Sequence, residues 1–335
     1  MSQKTSPMHI AGDSQATYPP PSGEAACYYS NGKLLLSGEY LVLAGATALA
    51  MPVRYGQRLC VSSTPAAEVL VNWTTYVRGR IWYRESFRGR SLDQAETAGN
   101  GKSATSRFLR SLLMEAKRQN PAFLQERLRH EVRADTGFEM HWGLGSSSSL
   151  ISNIAWWASA DPYQMLFNAS GGSGYDIACA RSASPLFYRF RGRNSKPETS
   201  AVAFDPPFGR QLVFVYSGRK QDSSRALENF DPDGVKPHHI QAISGISVQM
   251  ARSSELEDFM GLMREHEGIL SAYTGTESVQ KRLFPAFPGA IKSLGAWGGD
   301  FLLAAAPLEP RQLAAYFSSR GYGPVFALGD LQTKQ

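Results

Sequence analysis

The stretch from Gly143 to Ala158 constrains this chain more than any other, because a glycine-rich turn runs directly into an apolar segment. Its sequence is GLGSSSSLISNIAWWA, with four consecutive serines where a buried helix is predicted to begin. A helix N-terminus leaves backbone N–H groups unpaired and carries a partial positive charge. Glycines before it let the backbone approach a phosphate, and first-turn hydroxyls can bind phosphate oxygens or Mg²⁺. The stretch therefore predicts either a phosphate-binding loop or an ordinary serine-capped helix.

The remaining sequence alternates strand and helix patterns in two blocks. Its 335 residues exceed what one hydrophobic core usually serves, so we expect two domains, with a boundary in the segment DPPFGR at 205–210. We expect a flexible leader at 1–25, a first domain at 26–207 and a second at 208–335. Hydrophobic spacing predicts strands at 28–53 (two), 58–63, 68–77, 80–87, 131–140, 185–190, 211–217, 288–306 (two) and 324–328. It predicts helices at 103–118, 147–158, 162–169, after the glycine turn at 171–174, within 237–285 and at 309–323.

Charge and cysteine content narrow the class of function. The net charge of +6 is compatible with anionic small molecules but too diffuse to predict nucleic-acid binding. The three cysteines, Cys27, Cys60 and Cys179, are widely spaced and include no CxxC pair, which argues against a disulfide framework or a zinc site. This usage fits a reducing compartment, so we expect a cytoplasmic protein. No run of about 18 apolar residues predicts a membrane span.

Three further segments place reactive side chains beside glycines. Asp176 follows a glycine turn and opens a helix, where it is either a substrate-facing carboxylate or a first-turn dipole partner. Lys33 begins an otherwise apolar strand, where it either meets an anion or lies exposed at the strand end. The segment Gly295–Gly299 lies between two strands and forms either a hairpin or a backbone-rich lid over a ligand.

The segment Gly101-Lys102-Ser103 is similar to part of a Walker A motif. That motif needs an earlier glycine where this chain has Glu96, and an apolar strand upstream where this chain is polar. We therefore expect a solvated loop here, with Ser103 capping the helix that follows. A nucleotide, if the chain binds one, is expected at residues 143–149 instead.

Taken in order, these segments resemble the motifs of the GHMP small-molecule kinases, a family that includes galactokinase, homoserine kinase, mevalonate kinase and phosphomevalonate kinase. The segment GKLLLSGEYLVLAGATALAMPV is similar to the opening motif, and GLGSSSS to the non-Walker phosphate loop. GSGYDIA resembles the segment with the catalytic aspartate, and GAWGGDF the third, glycine-rich motif. The resemblance covers about residues 28–328. It implies an α+β fold, with an N-terminal domain like ribosomal protein S5 domain 2 and a ferredoxin-like C-terminal domain.

The resemblance also implies ATP and Mg²⁺ as cofactors and assigns roles to residues. Asp176 would accept the proton of a substrate hydroxyl, and Lys33 would keep that carboxylate ionised. Ser146 and Ser147 would contact Mg²⁺. The implied nucleotide-binding residues are Gly143, Leu144, Gly145, Ser146, Ser147, Ser148, Gly295, Gly298 and Gly299. The implied substrate-binding residues are Glu39, Ser173, Gly174, Tyr175, Arg219 and Lys220.

The chain departs from the family pattern at several positions. Glu139 and His141 precede the phosphate loop where a proline and a further glycine are usual, and Trp297 and Asp300 replace small residues in the third motif. Residues 162–175 contain no carboxylate, although mevalonate kinases carry a glutamate ligand for Mg²⁺ in this part of the chain. Either serine hydroxyls, phosphates and water hold the metal, or another acid such as Glu39 or Asp161 substitutes.

The GEY and GSGYD forms favour a substrate of the mevalonate pathway, either mevalonate or phosphomevalonate. Three alternatives remain open: a sugar kinase of the same family, a lyase similar to diphosphomevalonate decarboxylase, and a binding protein without catalysis. The expected partner is a small-molecule substrate, with no nucleic acid and no membrane. The chain is expected to be a monomer or a homodimer.

Overall fold

The computed structural model describes residues 25–89, 103–218, 231–232, 234–295 and 300–333, which form two sheets with helices packed on them. The first sheet has the order β4-β3-β5-β2-β6-β7, and β1 also pairs with β2. All its pairings are antiparallel except that of β3 with β5. Its strands are β1 (Ala26–Ser37), β2 (Thr47–Pro65), β3 (Leu70–Val77), β4 (Arg80–Arg88), β5 (Leu128–Thr136), β6 (Leu186–Arg189) and β7 (Glu198–Ala201).

Four helices accompany this sheet, and their sequences explain where they begin and what they bury. They are α1 (Ala104–Gln119), α2 (Ser146–Ala158), α3 (Pro162–Ala169) and α4 (Tyr175–Ala180). Ser103 caps α1 as predicted, since its hydroxyl accepts a hydrogen bond from Ser106 N at 3.1 Å. Ile151 and Ile154 of α2 are fully buried in a core that also contains Trp73 of β3. The helix that the opening stretch predicts is therefore a central element of the core.

The second sheet is formed by the C-terminal part of the chain. Its order is β11-β8-β10-β9, with every pairing antiparallel. Its strands are β8 (Leu212–Tyr216), β9 (Ala290–Leu294), β10 (Phe301–Ala305) and β11 (Val325–Ala327). Every residue of β8, β9 and β10 is buried. This explains why β8 and β10 are continuous apolar runs rather than alternating patterns, whereas β9 includes the buried polar residues Lys292 and Ser293. The helices are α5 (Pro237–Arg252), α6 (Leu256–Thr274), α7 (Val279–Leu283), α8 (Pro310–Ser318) and α9 (Leu328–Leu331).

One hydrophobic cluster joins the two sheets. It contains Leu34 and Met51 from the first sheet and Phe214, Phe301 and Leu303 from the second. The predicted boundary at 207/208 stays a prediction. In the described part of the chain, no helix has the length and apolar character needed to cross a bilayer.

The expectation of unpaired cysteines is wrong for two of the three. Cys27 and Cys60 lie directly opposite each other in the β1–β2 pairing and form a disulfide. Their 33-residue separation does not reveal this, because strand register and not sequence distance brings them together. Cys179 is free and buried. The predicted leader lies outside the described residues, apart from residue 25.

Candidate active site

The start of α2 divides the four serines into two pairs. Ser148 and Ser149 are buried, and their hydroxyls donate back to the carbonyl of Gly145 at 3.0 and 2.9 Å. Ser147 is exposed and Ser146 half-buried, so their hydroxyls are the ones presented outward. Gly145 caps the helix with φ +91°, a left-handed conformation that favours glycine. The outer pair can bind a ligand, while the inner pair closes the first turn of the helix.

Lys33 lies against this helix start. Its backbone N–H donates to the carbonyl of Leu144 at 2.9 Å, which joins β1 to the loop. A Cβ atom on Gly145 would lie 3.0 Å from Cγ of Lys33, so the lysine side chain passes directly over the glycine. A larger residue at position 145 would push the lysine away. The structure thus brings together two segments that are more than a hundred residues apart in the sequence.

Asp176 lies in the first turn of α4, after the left-handed Gly174. Its Oδ1 accepts a hydrogen bond from Ile177 N at 3.1 Å, and its side chain is half-buried. Burial raises the pKa of Asp176 above its usual value, while the charge of Lys33 and the Ile177 N–H oppose that rise. A carboxylate with a raised pKa is a better proton acceptor than a fully solvated one.

Lys33 interacts electrostatically with two acids, Asp176 and Asp300. Burial lowers the pKa of Lys33, but contact with Tyr175 and the charges of Asp176 and Asp300 outweigh that effect and raise it. The Lys33 ammonium lies 5.6 Å from the ring centre of Tyr175. Lys33 is therefore a permanent positive charge between the α2 helix start and Asp176.

Two tyrosines contact the predicted substrate segment Ser173–Tyr175. The hydroxyl of Tyr188 donates to the carbonyl of Ser173 at 2.5 Å, and a Cβ atom on Gly174 would lie 3.0 Å from the Tyr163 ring. Burial raises the pKa of Tyr175 to about 12, so its phenol stays neutral beside Lys33. Tyr163 and Tyr188 therefore fix the position of this segment, and Asp176 comes directly after it in the first turn of α4.

Asp300 is a neighbour of the loop that the sequence analysis noted only as a departure. A Cβ atom on Gly143 would lie 1.9 Å from Oδ2 of Asp300, so only glycine leaves room for this carboxylate. Asp300 also raises the pKa of Lys33 by its charge. The signal available in the sequence was its position directly after the glycine segment, where an acid replaces a small residue.

Glu39, a predicted substrate-binding residue, is held by two other side chains of the protein. Its side chain is 2% exposed, its Oε1 lies 2.6 Å from the Lys292 ammonium, and its Oε2 lies 3.0 Å from His266 Nε2. Burial would raise the pKa of Glu39, but Lys292 and His266 lower it to about 2. Glu39 is thus an ionised carboxylate inside a buried cluster with Lys292, His266 and Glu267.

The other predicted residues divide by location. Gly295 ends β9 with φ +84°. Gly298, Gly299, Arg219 and Lys220 lie outside the described residues. Cavities of about 310 and 250 Å³ lie elsewhere on the described surface, lined by neither the loop nor Asp176.

The donors at the α2 helix start fit a magnesium–nucleotide complex better than a bare metal ion. Among the described residues, no group of three or more His, Cys, Asp or Glu is arranged to hold a metal. Mg²⁺ commonly binds through one or two carboxylates together with substrate phosphates and water. The hydroxyls of Ser146 and Ser147, the free end of the helix and a nearby acid supply that combination.

Comparison with known proteins identifies the fold. No protein-family model matches the sequence, and a search of curated proteins finds no match. Among solved structures, the chain is similar to the mevalonate kinase of Methanococcus jannaschii, with 14% identity and a TM-score of 0.66 over 94% of this chain and 100% of that one. It is equally similar to Streptococcus pneumoniae phosphomevalonate kinase in complex with phosphomevalonate and AMPPNP, with 14% identity and a TM-score of 0.66 over 90% of this chain and 100% of that one.

A third neighbour acts on a different class of substrate. The galactokinase of Lactococcus lactis, complexed with galactose, matches with 11% identity and a TM-score of 0.61 over 92% of this chain and 94% of that one. Identities this low establish the fold alone. The chain has the fold that mevalonate kinase, phosphomevalonate kinase and galactokinase share, which is that of the GHMP kinases.

Proposed function

We propose that this chain, which has the GHMP-kinase fold, is an ATP-dependent kinase that phosphorylates a hydroxyl or phosphate of a small molecule. One observation carries the proposal. Lys33 lies over Gly145 at the α2 helix start, and its charge also interacts with that of Asp176. A phosphate-binding helix start and an acidic proton acceptor therefore meet at one cation. Phosphoryl transfer depends on such positioning and on charge neutralisation more than on covalent chemistry by the enzyme.

The proposed mechanism assigns one task to each group. When bound, ATP would supply the phosphoryl group and Mg²⁺ would neutralise its charge. The N–H groups at the α2 helix start would bind phosphate oxygens, and the hydroxyls of Ser146 and Ser147 would bind the metal and the phosphates. Asp176 orients the substrate hydroxyl and accepts its proton, while Lys33 stabilises the ionised carboxylate and the developing negative charge. Ser148 contributes its backbone N–H, since its hydroxyl is bonded to Gly145.

The finer description of the fold is part of this proposal. The C-terminal elements follow the order strand, helices, strand, strand, helix, strand, and the sheet order β11-β8-β10-β9 supports a ferredoxin-like domain. The N-terminal sheet with its crossing helices supports the comparison with ribosomal protein S5 domain 2. The boundary at 207/208 follows from these two assignments.

The substrate we favour is mevalonate or phosphomevalonate. The GEY and GSGYD segments support it, as does the presence of both mevalonate and phosphomevalonate kinases among the structural neighbours. A sugar substrate is the second candidate, because galactokinase has the same fold over most of this chain. A cytoplasmic location is kept as a prediction only, since the Cys27–Cys60 disulfide removes the cysteine-based reason for it.

The test is an ADP-release assay with ATP, Mg²⁺ and a panel of mevalonate, phosphomevalonate, homoserine, galactose and diphosphomevalonate, with carbon dioxide measured for the last. We expect release with one of the first two acceptors and not with the others. Release with galactose alone would establish the sugar-kinase alternative, and carbon dioxide formed from diphosphomevalonate would establish the decarboxylase-like one. Nucleotide binding without turnover of any acceptor would favour a non-catalytic binding protein.

A further inference from the structure

A kinase site of this type is expected to hold Mg²⁺ with the help of an acid, and the segment directly before Asp176 does not supply one. Residues 162–175 contain no carboxylate. The outward hydroxyls of Ser146 and Ser147 are neutral ligands, whereas Mg²⁺ prefers at least one carboxylate beside the phosphates. An acid from another part of the chain must therefore lie close to the loop if this preference is met.

Asp300 lies at the required place. Its carboxylate occupies the space directly above Gly143, where a Cβ atom would be 1.9 Å from Oδ2 and 2.4 Å from Cγ. It also acts electrostatically on Lys33, so it faces the same cation as Asp176 does. Asp300 directly precedes β10 and is half-buried, so it is not enclosed in the core.

Glu39 and Asp161, the two acids considered from the sequence, have partners away from the loop at 143–149. Glu39 is buried against Lys292 and His266. Asp161 is exposed and caps α3, with Oδ1 accepting from Tyr163 N at 2.8 Å and from Gln164 N at 3.3 Å. Neither contacts the loop at 143–149 in the way that Asp300 does.

We propose that Asp300 supplies the carboxylate that holds Mg²⁺ at the start of α2, together with the hydroxyl of Ser146 or Ser147. The inference rests on the proposed function, since the metal would arrive with a nucleotide. It gives the two acids different roles. Asp176 accepts the substrate proton, and Asp300 binds the metal. The positive charge of Lys33 interacts with both carboxylates. Gly143 is required at its position because it leaves the carboxylate room to reach the loop.

The test measures binding of the non-hydrolysable analogue AMPPNP by calorimetry, with and without MgCl₂. The wild-type protein is expected to bind the analogue at least about tenfold more tightly with Mg²⁺. Asp300→Asn is expected to lose that enhancement while still binding the metal-free analogue. Asp161→Asn, which keeps an N-cap oxygen, is the matched control and is expected to retain the enhancement.

A second variant keeps the test informative if Asp300→Asn alters folding. Asp300→Cys replaces a hard oxygen ligand with a soft sulfur ligand, so Cd²⁺ and not Mg²⁺ is expected to enhance its AMPPNP binding. Mg²⁺ enhancement that survives in either Asp300 variant would overturn the inference and leave the proposed function standing. Failure of the wild-type protein to bind AMPPNP under any condition would overturn the proposed function and the inference together.

Discussion

Asp176 and Lys33 define the chemistry proposed for this protein because each changes the ionisation of the other. Burial raises the pKa of the Asp176 carboxyl, and Lys33 limits that rise. Burial thus makes this carboxylate a stronger proton acceptor than a solvated one, while Lys33 favours its ionised form. A carboxamide at this position would keep the shape and the hydrogen bond from Ile177 N but lose the base.

Asp176→Asn is therefore expected to lower the rate of ADP release by about 10²- to 10⁴-fold, the usual contribution of a general base. Nucleotide affinity should change little, because Asp176 is assigned to the substrate and not to the phosphates. Turnover and AMPPNP binding are measured on the same preparation. An Asp176→Asn variant with wild-type turnover would exclude this residue as the base.

Glu267 in α6 is expected to make stability depend on pH. Burial raises its pKa to about 8, although Lys292 opposes the rise, so the folded protein holds this acid neutral at pH 7. The unfolded chain ionises it near pH 4.5. Because the folded-state pKa is the higher one, the contribution of Glu267 to stability is full below pH 4.5 and is lost as the pH rises to about 8.

Glu267→Gln removes that loss, since an amide does not titrate. The free energy of unfolding of the variant relative to the wild type is expected to increase by more than about 1 kcal/mol between pH 5 and pH 8. Urea denaturation at pH 5, 6.5 and 8 gives the difference at each pH, and other groups cancel in the comparison. A difference that is constant over this range would show that Glu267 titrates normally.

At the scale of single elements, the first turn of α2 contains its own control. Ser147 is exposed, whereas the buried Ser148 donates its hydroxyl to the Gly145 carbonyl. Ser147→Ala is expected to weaken AMPPNP binding in the presence of Mg²⁺ several-fold and to leave stability nearly unchanged. Ser148→Ala is expected to cost about 1 kcal/mol of stability, the usual value of a hydrogen bond, with little effect on affinity. Calorimetry and urea denaturation of both variants separate the two roles, and equal effects on affinity would contradict the division.

Elements with strong periodicity could be predicted from sequence, and those without it could not. The helix predicted at 103–118 is α1 (Ala104–Gln119), and the one predicted at 147–158 is α2 (Ser146–Ala158). The edge strand β7 (Glu198–Ala201) is not among the predicted strands, because it is exposed at all four positions and has no buried face to give an alternating pattern. The strand predicted at 324–328 is β11 (Val325–Ala327), and the short helix α9 (Leu328–Leu331) that follows it was not predicted.

For the candidate site, sequence motifs predicted the segments that meet but not the side-chain pairings between them. Lys33, Gly145 and Asp176 meet as the motifs suggested. Lys292, the partner of Glu39, is 253 residues away, and the contact between Asp300 and Gly143 also joins distant parts of the chain. No periodicity or spacing encodes such contacts, because they depend on how the two sheets are placed against each other.

At the scale of the whole molecule, a buried ion pair joins the two sheets. Lys292 of β9 donates to Glu39, just after β1, at 2.6 Å, and both side chains are almost completely buried. Removing one partner of such a pair leaves the other charge buried without compensation, which typically costs 3–5 kcal/mol. Removing both can restore much of that loss.

Lys292→Met is accordingly expected to lower the free energy of unfolding by about 3 kcal/mol or more, and the double variant Glu39→Gln with Lys292→Met by clearly less. Urea denaturation of the single and double variants measures the coupling. Lys281→Met, at an exposed position of α7, is the control and is expected to stay within about 0.5 kcal/mol of the wild type. Strictly additive losses in the double variant would mean that the pair does not couple the sheets.

The inner serines of α2 have a consequence for how tightly a ligand can be held. Because Ser148 and Ser149 already satisfy the carbonyl of Gly145, the turn has its final shape before any phosphate arrives. A pre-shaped turn loses little conformational entropy when it is occupied, and more of the contact energy remains as affinity. The hydroxyls of Ser148 and Ser149, which do not contact the ligand, thus lower the entropic cost of binding it.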